Sequence, residues 1–118
     1  MNNGLRHDTR QILIRARALI ERGWTQKCTA RNKAGIPCSV CDDDASAWSI
    51  SGALDAAKTQ MFGLMDSAAF HDATQTLRDV IFPQSKGPSH LSLPDWNDTP
   101  GRTKDEVLAP FDDAIGRL

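Results

Sequence analysis

The stretch DTRQILIRARALIER, residues 8–22, decides the fold class because its apolar residues recur with a helical period. Asp8 or Thr9 can cap the first turn of this helix by accepting a hydrogen bond from an unpaired backbone N–H. Gly23 follows as a typical C-terminal glycine, so the helix is predicted over about residues 8–22. Its apolar stripe consists of Ile12, Ala16, Leu19 and Ile20.

Two further apolar stripes follow along the chain. Residues 41–65, CDDDASAWSISGALDAAKTQMFGLM, are predicted to form a second helix whose N-terminus attracts Asp42, Asp43 and Asp44, with Gly63 as a residue that could break or end it. Asp66 or Ser67 is predicted to cap a third helix, which Pro83 stops. The buried face of the second helix would be Ile50, Leu54, Ala57, Met61, Leu64 and Met65. That of the third would be Phe70, Ala73, Leu77, Val80 and Ile81.

Two remaining segments, residues 24–40 and residues 83–117, complete the predicted fold. WTQKCTARNKAGIPCSV, residues 24–40, contains polar and β-branched residues around a turn-forming NKAG, and predicts either a short β-hairpin or an extended loop. PQSKGPSH, residues 83–90, is a turn-rich connector ahead of a last helix over about 103–117. The buried stripe of this last helix would be Val107, Phe111, Ala114, Ile115 and Leu118. We therefore expect a mainly α, four-helix single domain spanning residues 1–118, with one minor β or loop segment after the first helix.

Composition limits the kinds of protein this chain can be. With 118 residues, 40% hydrophobic and 25% charged, it has the size and balance of one soluble globular domain. No run of eighteen apolar residues predicts a membrane span, and the polar N-terminus lacks a signal-peptide core, so a cytoplasmic protein is expected. Three cysteines without a secretory context are expected to be reduced thiols.

The known site patterns are incomplete here. Cys38 and Cys41 have the C-x-x-C spacing of zinc ligands and Cys28 precedes them, but the usual second pair is missing. Residues 95–106 fit a calcium loop except at Pro100, where the sharp turn requires a glycine. No nucleophile elbow, Walker loop, dinucleotide-binding glycine pattern or zinc-protease motif occurs. The sequence thus favours a non-enzymatic protein with no metal, cofactor or catalytic residue, and leaves open whether the cysteines are simple thiols, metal ligands or redox-active groups.

The charge is unevenly distributed. Residues 1–40 carry eight Lys/Arg and two Asp/Glu, whereas residues 41–118 carry six and thirteen. The two halves either neutralise each other or present a basic face to an acidic partner. A lesser alternative is nucleic-acid contact through Arg10, Arg15 and Arg17 of the first helix, with Lys27, Arg31 and Lys33 nearby, although the pI near 6.3 disfavours a dedicated binder.

The segment DWNDTPGRTKDE, residues 95–106, is dense in turn and capping residues. Thr103 and Glu106 have the spacing of a capping box, and Pro100-Gly101 suits the centre of a type II turn. Trp96 is expected to anchor this turn against the core. Arg102 is not explained by helix capping, because the helix dipole disfavours a positive charge at the N-terminus. Arg102 is therefore predicted either to pair with Asp98 or the acidic cluster, or to hold an anion.

WNDTPGRTKDEVLAPFDDAI, residues 96–115, resembles the C-terminal signature of an uncharacterised family of small bacterial and bacteriophage proteins, with the pattern W-N-D-x-P-G-R-T-x-x-E-V. ILIRARALIERGWTQ and AWSISGALDAA resemble its opening helix and its W-[CS]-x-x-G-A-L segment. Ser49 departs from the family, where cysteine is common. The resemblance implies a helical cytosolic domain, often encoded by phages or mobile elements, and no known activity.

Two functions from different classes follow. The first is a non-enzymatic binding or regulatory protein, an accessory factor of a phage or prophage that acts on a protein partner. The second is a small-molecule or enzyme site between Trp24, Trp48 and the turn at 96–102, with Asp98 as acid/base and Arg102 as anion holder. The candidate binding residues, which the resemblance and the residue chemistry pick out together, are Trp24, Gln26, Trp48, Trp96, Asn97, Asp98 and Arg102.

Overall fold

Helix α1 (Asn3–Arg22) lies at the centre of the fold in the computed structural model, which describes residues 3–83 and 92–118. It packs against α2 (Ile50–Phe62), α3 (Ala68–Ile81) and α5 (Lys104–Gly116). The four predicted stripe residues of α1 are all buried, and Leu13 joins them. The mainly α prediction is confirmed, because helices make up most of the described chain. The periodicity of the apolar residues sets which face of α1 is buried.

The start of α1 differs from the prediction. The helix begins at Asn3, so Asp8 and Thr9 lie inside it and cap nothing. Thr9 is buried and its hydroxyl donates to the carbonyl of Leu5 at 2.8 Å, a bond that returns one turn within the helix. At the other end, the N–H of Gly23 donates to the carbonyl of Leu19, and the helix stops where predicted.

A two-stranded antiparallel sheet forms between β1 (Ala30–Asn32) and β2 (Ala45–Trp48). Ala30 pairs with Trp48, and an irregularity follows Arg31. The predicted hairpin region therefore supplies only the first strand. The second strand comes from sequence predicted as helix, and Asp42, Asp43 and Asp44 lie in the loop before it rather than at a helix N-terminus.

Helix α2 is shorter than predicted at both ends. Ser49 caps it by accepting from the N–H of Gly52 at 3.1 Å, and Gly63 ends it with a φ of 67°. Ile50, Leu54 and Ala57 are buried as predicted, and Met61 is half-buried. Leu64 and Met65 are not buried, because the chain leaves the helix before reaching them; they are 91% and 74% exposed.

Helices α3 and α5 lie where predicted. Of their predicted buried faces, Ala73, Leu77, Val107, Phe111 and Ala114 are buried, and the others are half-buried: Phe70, Val80, Ile81, Ile115 and Leu118. Ser67 caps α3 by accepting from the N–H of Phe70, and Thr103 caps α5. A short helix that the sequence did not predict, α4 (Leu93–Asn97), precedes the turn to α5 and is capped by Ser92. The described part of the chain therefore has five helices rather than four. The predicted connector lies outside the described residues beyond Pro83.

Nothing in residues 3–83 or 92–118 forms a helix with both the length and the apolar character needed to cross a membrane.

Candidate functional site

The turn between α4 and α5 has the predicted geometry. The N–H of Arg102 donates to the carbonyl of Thr99 at 3.0 Å, with Pro100 and Gly101 at the central positions. Gly101 has a φ of 82°, which a type II turn requires at its third residue and which glycine adopts without strain.

The capping box that starts α5 is also confirmed. The hydroxyl of Thr103 accepts from the N–H of Glu106 at 3.2 Å, and the Glu106 carboxylate accepts from the N–H of Thr103 at 2.9 Å. Two backbone donors that have no partner within the helix are thereby satisfied.

Asn97 is the buried centre of the segment, with no solvent exposure. Its side-chain oxygen accepts from the indole Nε1 of Trp24 at 2.8 Å and from the N–H of Ile50 at 3.1 Å. Its Nδ2 donates to the carbonyl of Thr25 at 3.1 Å and to Oδ1 of Asp98 at 3.0 Å. One amide side chain thus joins the α4 turn, the chain after α1 and the first residue of α2.

Gln26 and Asp98 make a second set of links between the same segments. Nε2 of Gln26 donates to the carbonyls of Asn97 at 2.9 Å and Thr99 at 3.1 Å. Oδ1 of Asp98 accepts from the backbone N–H of Lys27 at 2.9 Å. Lys27 has a φ of 76°, a left-handed conformation that costs a residue with a Cβ about 1–2 kcal/mol relative to a right-handed one. The bond to Asp98 helps to hold the chain in this conformation.

Trp48, the last residue of β2, is buried. Its indole Nε1 donates to the carbonyl of Val40 at 3.1 Å, and the guanidinium of Arg22 lies over its ring at 5.6 Å from the centroid. Its backbone is paired with the residues on either side of Trp24, through the N–H of Thr25 and the carbonyl of Gly23. A backbone bridge therefore places the two tryptophans side by side, but their indole N–H groups bond to different acceptors, Asn97 and Val40.

The second glycine with a demanding role is Gly52, in the first turn of α2. A Cβ added there would overlap the backbone carbonyl of Thr29, so only glycine lets α2 approach the chain ahead of β1 this closely. Gly52 belongs to the segment that resembles the family, and its role is close packing.

Arg102 stacks on Trp96. Its guanidinium carbon lies 3.8 Å from the centroid of the indole ring, and its Nε donates to the carbonyl of Trp96 at 3.1 Å. Both side chains are half-buried, and Trp96 packs against the core as predicted. Across residues 3–83 and 92–118, no carboxylate pairs with Arg102 and its two terminal amino groups have no hydrogen-bond partner. The predicted internal ion pair with Asp98 or the acidic cluster is therefore wrong for the described residues.

Six of the seven candidate residues divide into two groups, and Trp48, whose indole bonds to Val40, belongs to neither. Trp24, Gln26, Asn97 and Asp98 form one hydrogen-bonded network, which we call the Asn97 network, while Trp96 and Arg102 form the stack beside it. A depression of about 190 Å³ lies beside Asp98, lined by Lys27, Cys28, Thr29, Ser49, Ser51, Pro94 and Asp98. Neither Trp24, Trp48 nor Arg102 contributes to it.

The arginines of α1 are partly engaged within the fold. Arg17 donates from Nε to Asp112 at 2.6 Å and from Nη1 to Glu21 at 3.2 Å, and the hydrogen bond to Asp112 raises its pKa. Arg10 and Arg15 are exposed. The sequence places Arg31 near the arginines of α1 as a possible nucleic-acid contact. In the structure it donates instead to Thr25 Oγ1, the Gln26 carbonyl and the Gly35 carbonyl.

The cysteines do not assemble a metal site in the part of the chain described. There, no group of three or more His, Cys, Asp or Glu residues is placed to hold an ion. All three cysteines are free thiols. Partial burial raises the pKa of the Cys38 thiol, and the nearby carboxylates of Asp42 and Asp44 raise it further. A raised pKa lowers the fraction of reactive thiolate, so this environment does not activate Cys38.

Sequence reasoning missed three participants in the Asn97 network: the carbonyl of Thr25, the N–H of Ile50 and the N–H of Lys27. These are backbone groups, so their residue types carry no signal for them.

The fold and this network define a small helical domain in which one buried asparagine links three segments of the chain. The chain belongs to a family of unknown function (DUF6197), whose sequence model matches residues 5–117. No curated protein matches the chain. No solved structure matches it either.

Proposed function

We propose that the protein is a non-enzymatic binding or regulatory protein that engages a protein partner through the Trp96–Arg102 stack. One observation carries this proposal. The guanidinium is fixed in place by an indole face and a backbone carbonyl, while its terminal amino groups have no partner among the described residues. An arginine held in this way is prepared to bind something outside its own chain.

The chemistry of the stack indicates the kind of partner. A guanidinium presents parallel N–H groups that match the two oxygens of a carboxylate, and contact with an aromatic face leaves that edge available. Because Trp96 and its carbonyl already restrict the Arg102 side chain, less conformational entropy is lost when a ligand binds. Tryptophan and arginine are also the residues most enriched among energetically dominant interface positions. We therefore infer an acidic segment of another protein as the partner.

Asn97 and Asp98 support this assignment because their polar side-chain atoms already make hydrogen bonds within the chain. Both polar side-chain atoms of Asn97, Oδ1 and Nδ2, make hydrogen bonds within the fold, and Oδ1 of Asp98 accepts two hydrogen bonds from within the chain. A small-molecule or enzyme site between the tryptophans and the turn needs those groups to face a shared cavity together with Arg102. Their engagement elsewhere makes the partner hypothesis the better supported of the two.

Nucleic-acid contact through Arg10, Arg15 and Arg17 is the lesser alternative. The two acidic partners of Arg17 reduce the positive charge available to a phosphate backbone. Following the resemblance noted in the sequence, we place the proposed role in the cytoplasm and propose that the protein is an accessory factor of a phage or prophage.

The test is capture of a partner followed by direct measurement of its affinity. Tagged wild-type protein, Arg102→Ala and Arg15→Ala are used to recover partners from the cells that encode the chain, and binding of each purified candidate is measured by calorimetry. Arg15 is the matched control, since it is also an arginine but exposed on α1. Loss of one charge-assisted contact should weaken binding by roughly tenfold or more for Arg102→Ala and leave Arg15→Ala unchanged.

Two results would count against this function. Equal loss of binding in both variants would indicate a general charge effect rather than recognition by the stack. Retention of every partner by Arg102→Ala, with binding of a DNA or RNA duplex lost in Arg10→Ala/Arg15→Ala, would favour the nucleic-acid alternative.

A further inference from the structure

The depression of about 190 Å³ beside Asp98 lies where three segments of the chain meet. Its walls come from residues 27–29 after α1, residues 49 and 51 at the start of α2, and residues 94 and 98 in and after α4. These are the three segments that the side chain of Asn97 joins, so the Asn97 network holds the walls of the depression in place. The proposed Trp96–Arg102 function does not involve this depression.

The start of α2 gives the depression two hydrogen-bond donors that lack an acceptor. Ser49 is 5% exposed, and its Oγ accepts from the N–H of Gly52, but no acceptor for its hydroxyl proton lies within residues 3–83 and 92–118. The backbone N–H of Ser51 has no acceptor in the same ranges either. Both donors lie at the positive end of a 13-residue helix, where the dipole favours a negative group. A ligand carboxylate can accept from both and so satisfy a donor that is otherwise buried without a partner.

Lys27 and Asp98 add one charge of each sign to the same depression. Oδ1 of Asp98 accepts from the N–H of Lys27 at 2.9 Å and from Nδ2 of Asn97 at 3.0 Å, whereas no described residue donates to its Oδ2. The ammonium of Lys27 forms no ion pair with Asp98 or with another carboxylate of the described chain. A complementary ligand therefore carries a positive and a negative group close together.

We propose that the depression binds a free α-amino acid with a small apolar side chain. The ligand carboxylate accepts from the two donors of α2 and from the ammonium of Lys27, and the ligand ammonium donates to Oδ2 of Asp98. Cys28 and Pro94 form uncharged parts of the lining, which favour an apolar side chain over a charged one. The depression is smaller than the roughly 300–1,000 Å³ of pockets for drug-sized ligands, so it suits a single amino acid rather than a peptide.

The experiment is an NMR titration of the isotope-labelled full chain with L-valine to about 10 mM, because a ligand of so few atoms is expected to have a dissociation constant of roughly 0.1–1 mM. The backbone amide signals of residues 27–29 and of Ser51 should shift until they saturate, while those of α3 should not move. Two analogues of the same shape each lack one charge: isovalerate has no ammonium, and isobutylamine has no carboxylate. Each should bind roughly tenfold more weakly than L-valine, or worse.

Two substitutions test the charges on the protein. Asp98→Asn keeps a side-chain oxygen for the N–H groups of Lys27 and Asn97 but removes the charge that the ligand ammonium needs. Lys27→Met removes the ammonium and keeps an unbranched side chain. Each should weaken binding of L-valine by roughly tenfold. The matched controls, Asp95→Asn and Lys33→Met, change exposed residues that do not line the depression and should bind L-valine like wild type.

The thiol of Cys28 gives a second measurement of the same site. Because Cys28 lines the depression, L-valine should slow its alkylation by iodoacetamide and leave the rate at the exposed Cys41 unchanged. Wild-type amide signals that do not move up to about 10 mM L-valine overturn the proposal, as do shifts that spare residues 27–29. Equal binding of L-valine and either analogue overturns it as well.

The analogues and Lys27→Met keep the proposal testable if Asp98→Asn does not fold. The site contains neither Trp96 nor Arg102, so a failure here leaves the proposed binding of a protein partner unaffected.

Discussion

The indole nitrogen of Trp24 donates a 2.8 Å hydrogen bond to the side-chain oxygen of Asn97, across 73 residues of sequence. The same oxygen accepts from the N–H of Ile50, so one atom connects the chain after α1, the start of α2 and the end of α4. Most residues of the C-terminal motif therefore serve the fold. Arg102 remains as the member whose terminal amino groups have no hydrogen-bond partner within residues 3–83 and 92–118.

Replacing Asn97 by alanine should destabilise the protein by about 3 kcal/mol or more, because the change leaves the Trp24 indole N–H, the Ile50 N–H and the Thr25 carbonyl without their buried partner. Urea unfolding followed by far-UV circular dichroism measures the loss. Asp95→Ala, an exposed neighbour in α4, is the control and should cost far less. Comparable losses in the two variants would mean that the network does not stabilise the fold.

The capping box of α5 should contribute about 1 kcal/mol. Thr103→Ala removes the acceptor for the N–H of Glu106, and Glu106→Ala removes the acceptor for the N–H of Thr103. Because the two contacts are reciprocal, the double variant should lose less than the sum of the single losses. Thermal unfolding of all four proteins gives the coupling, and strict additivity would show that the two contacts act independently.

Lys27→Gly should stabilise the protein by roughly 0.5–1 kcal/mol, since glycine adopts the left-handed conformation of residue 27 without a steric penalty and the gain is reduced by its greater freedom in the unfolded chain. Lys27→Ala is the control, because it removes the same side chain but keeps the strained Cβ. Chemical denaturation of both variants measures the difference. Equal stability of the glycine and alanine variants would rule out strain at this position.

Cys41 should react with iodoacetamide faster than Cys38. Cys41 is exposed, whereas partial burial and the carboxylates of Asp42 and Asp44 raise the pKa of Cys38 and so lower its thiolate fraction near neutral pH. Mass spectrometry of the alkylated protein at about pH 8 resolves the two sites. The double variant Asp42→Asn/Asp44→Asn should accelerate labelling of Cys38, and the labelling rate of Cys28 serves as the internal reference. An unchanged Cys38 rate would remove the carboxylates as a cause.

Local chemistry made much of this molecule predictable. The buried stripes of α1, α3 and α5 follow from apolar periodicity, and the type II turn and the capping box follow from residue types a few positions apart. Each of these features depends on neighbours along the chain, so a single sequence contains the information.

The features that the sequence did not predict depend on distant contacts. Pairing with β1 draws residues 45–48 into a strand, although the acidic cluster before them favours a helix N-terminus. Leu64 and Met65 keep the helical period, but Gly63 ends α2 ahead of them. Asn97 bonds to groups 47 to 73 residues away, and no local pattern identifies those partners.

The most direct test of the central claim compares the unfolding free energies of Asn97→Ala and Arg102→Ala in one denaturant series. The account predicts a large loss for Asn97→Ala and a loss of at most about 1 kcal/mol for Arg102→Ala, since a half-exposed stack on Trp96 and one hydrogen bond contribute little to folding. Arg102→Ala should then fold normally and lose only binding to the proposed partner. A loss for Arg102→Ala that matches or exceeds the loss for Asn97→Ala would contradict the account and make Arg102 part of the fold.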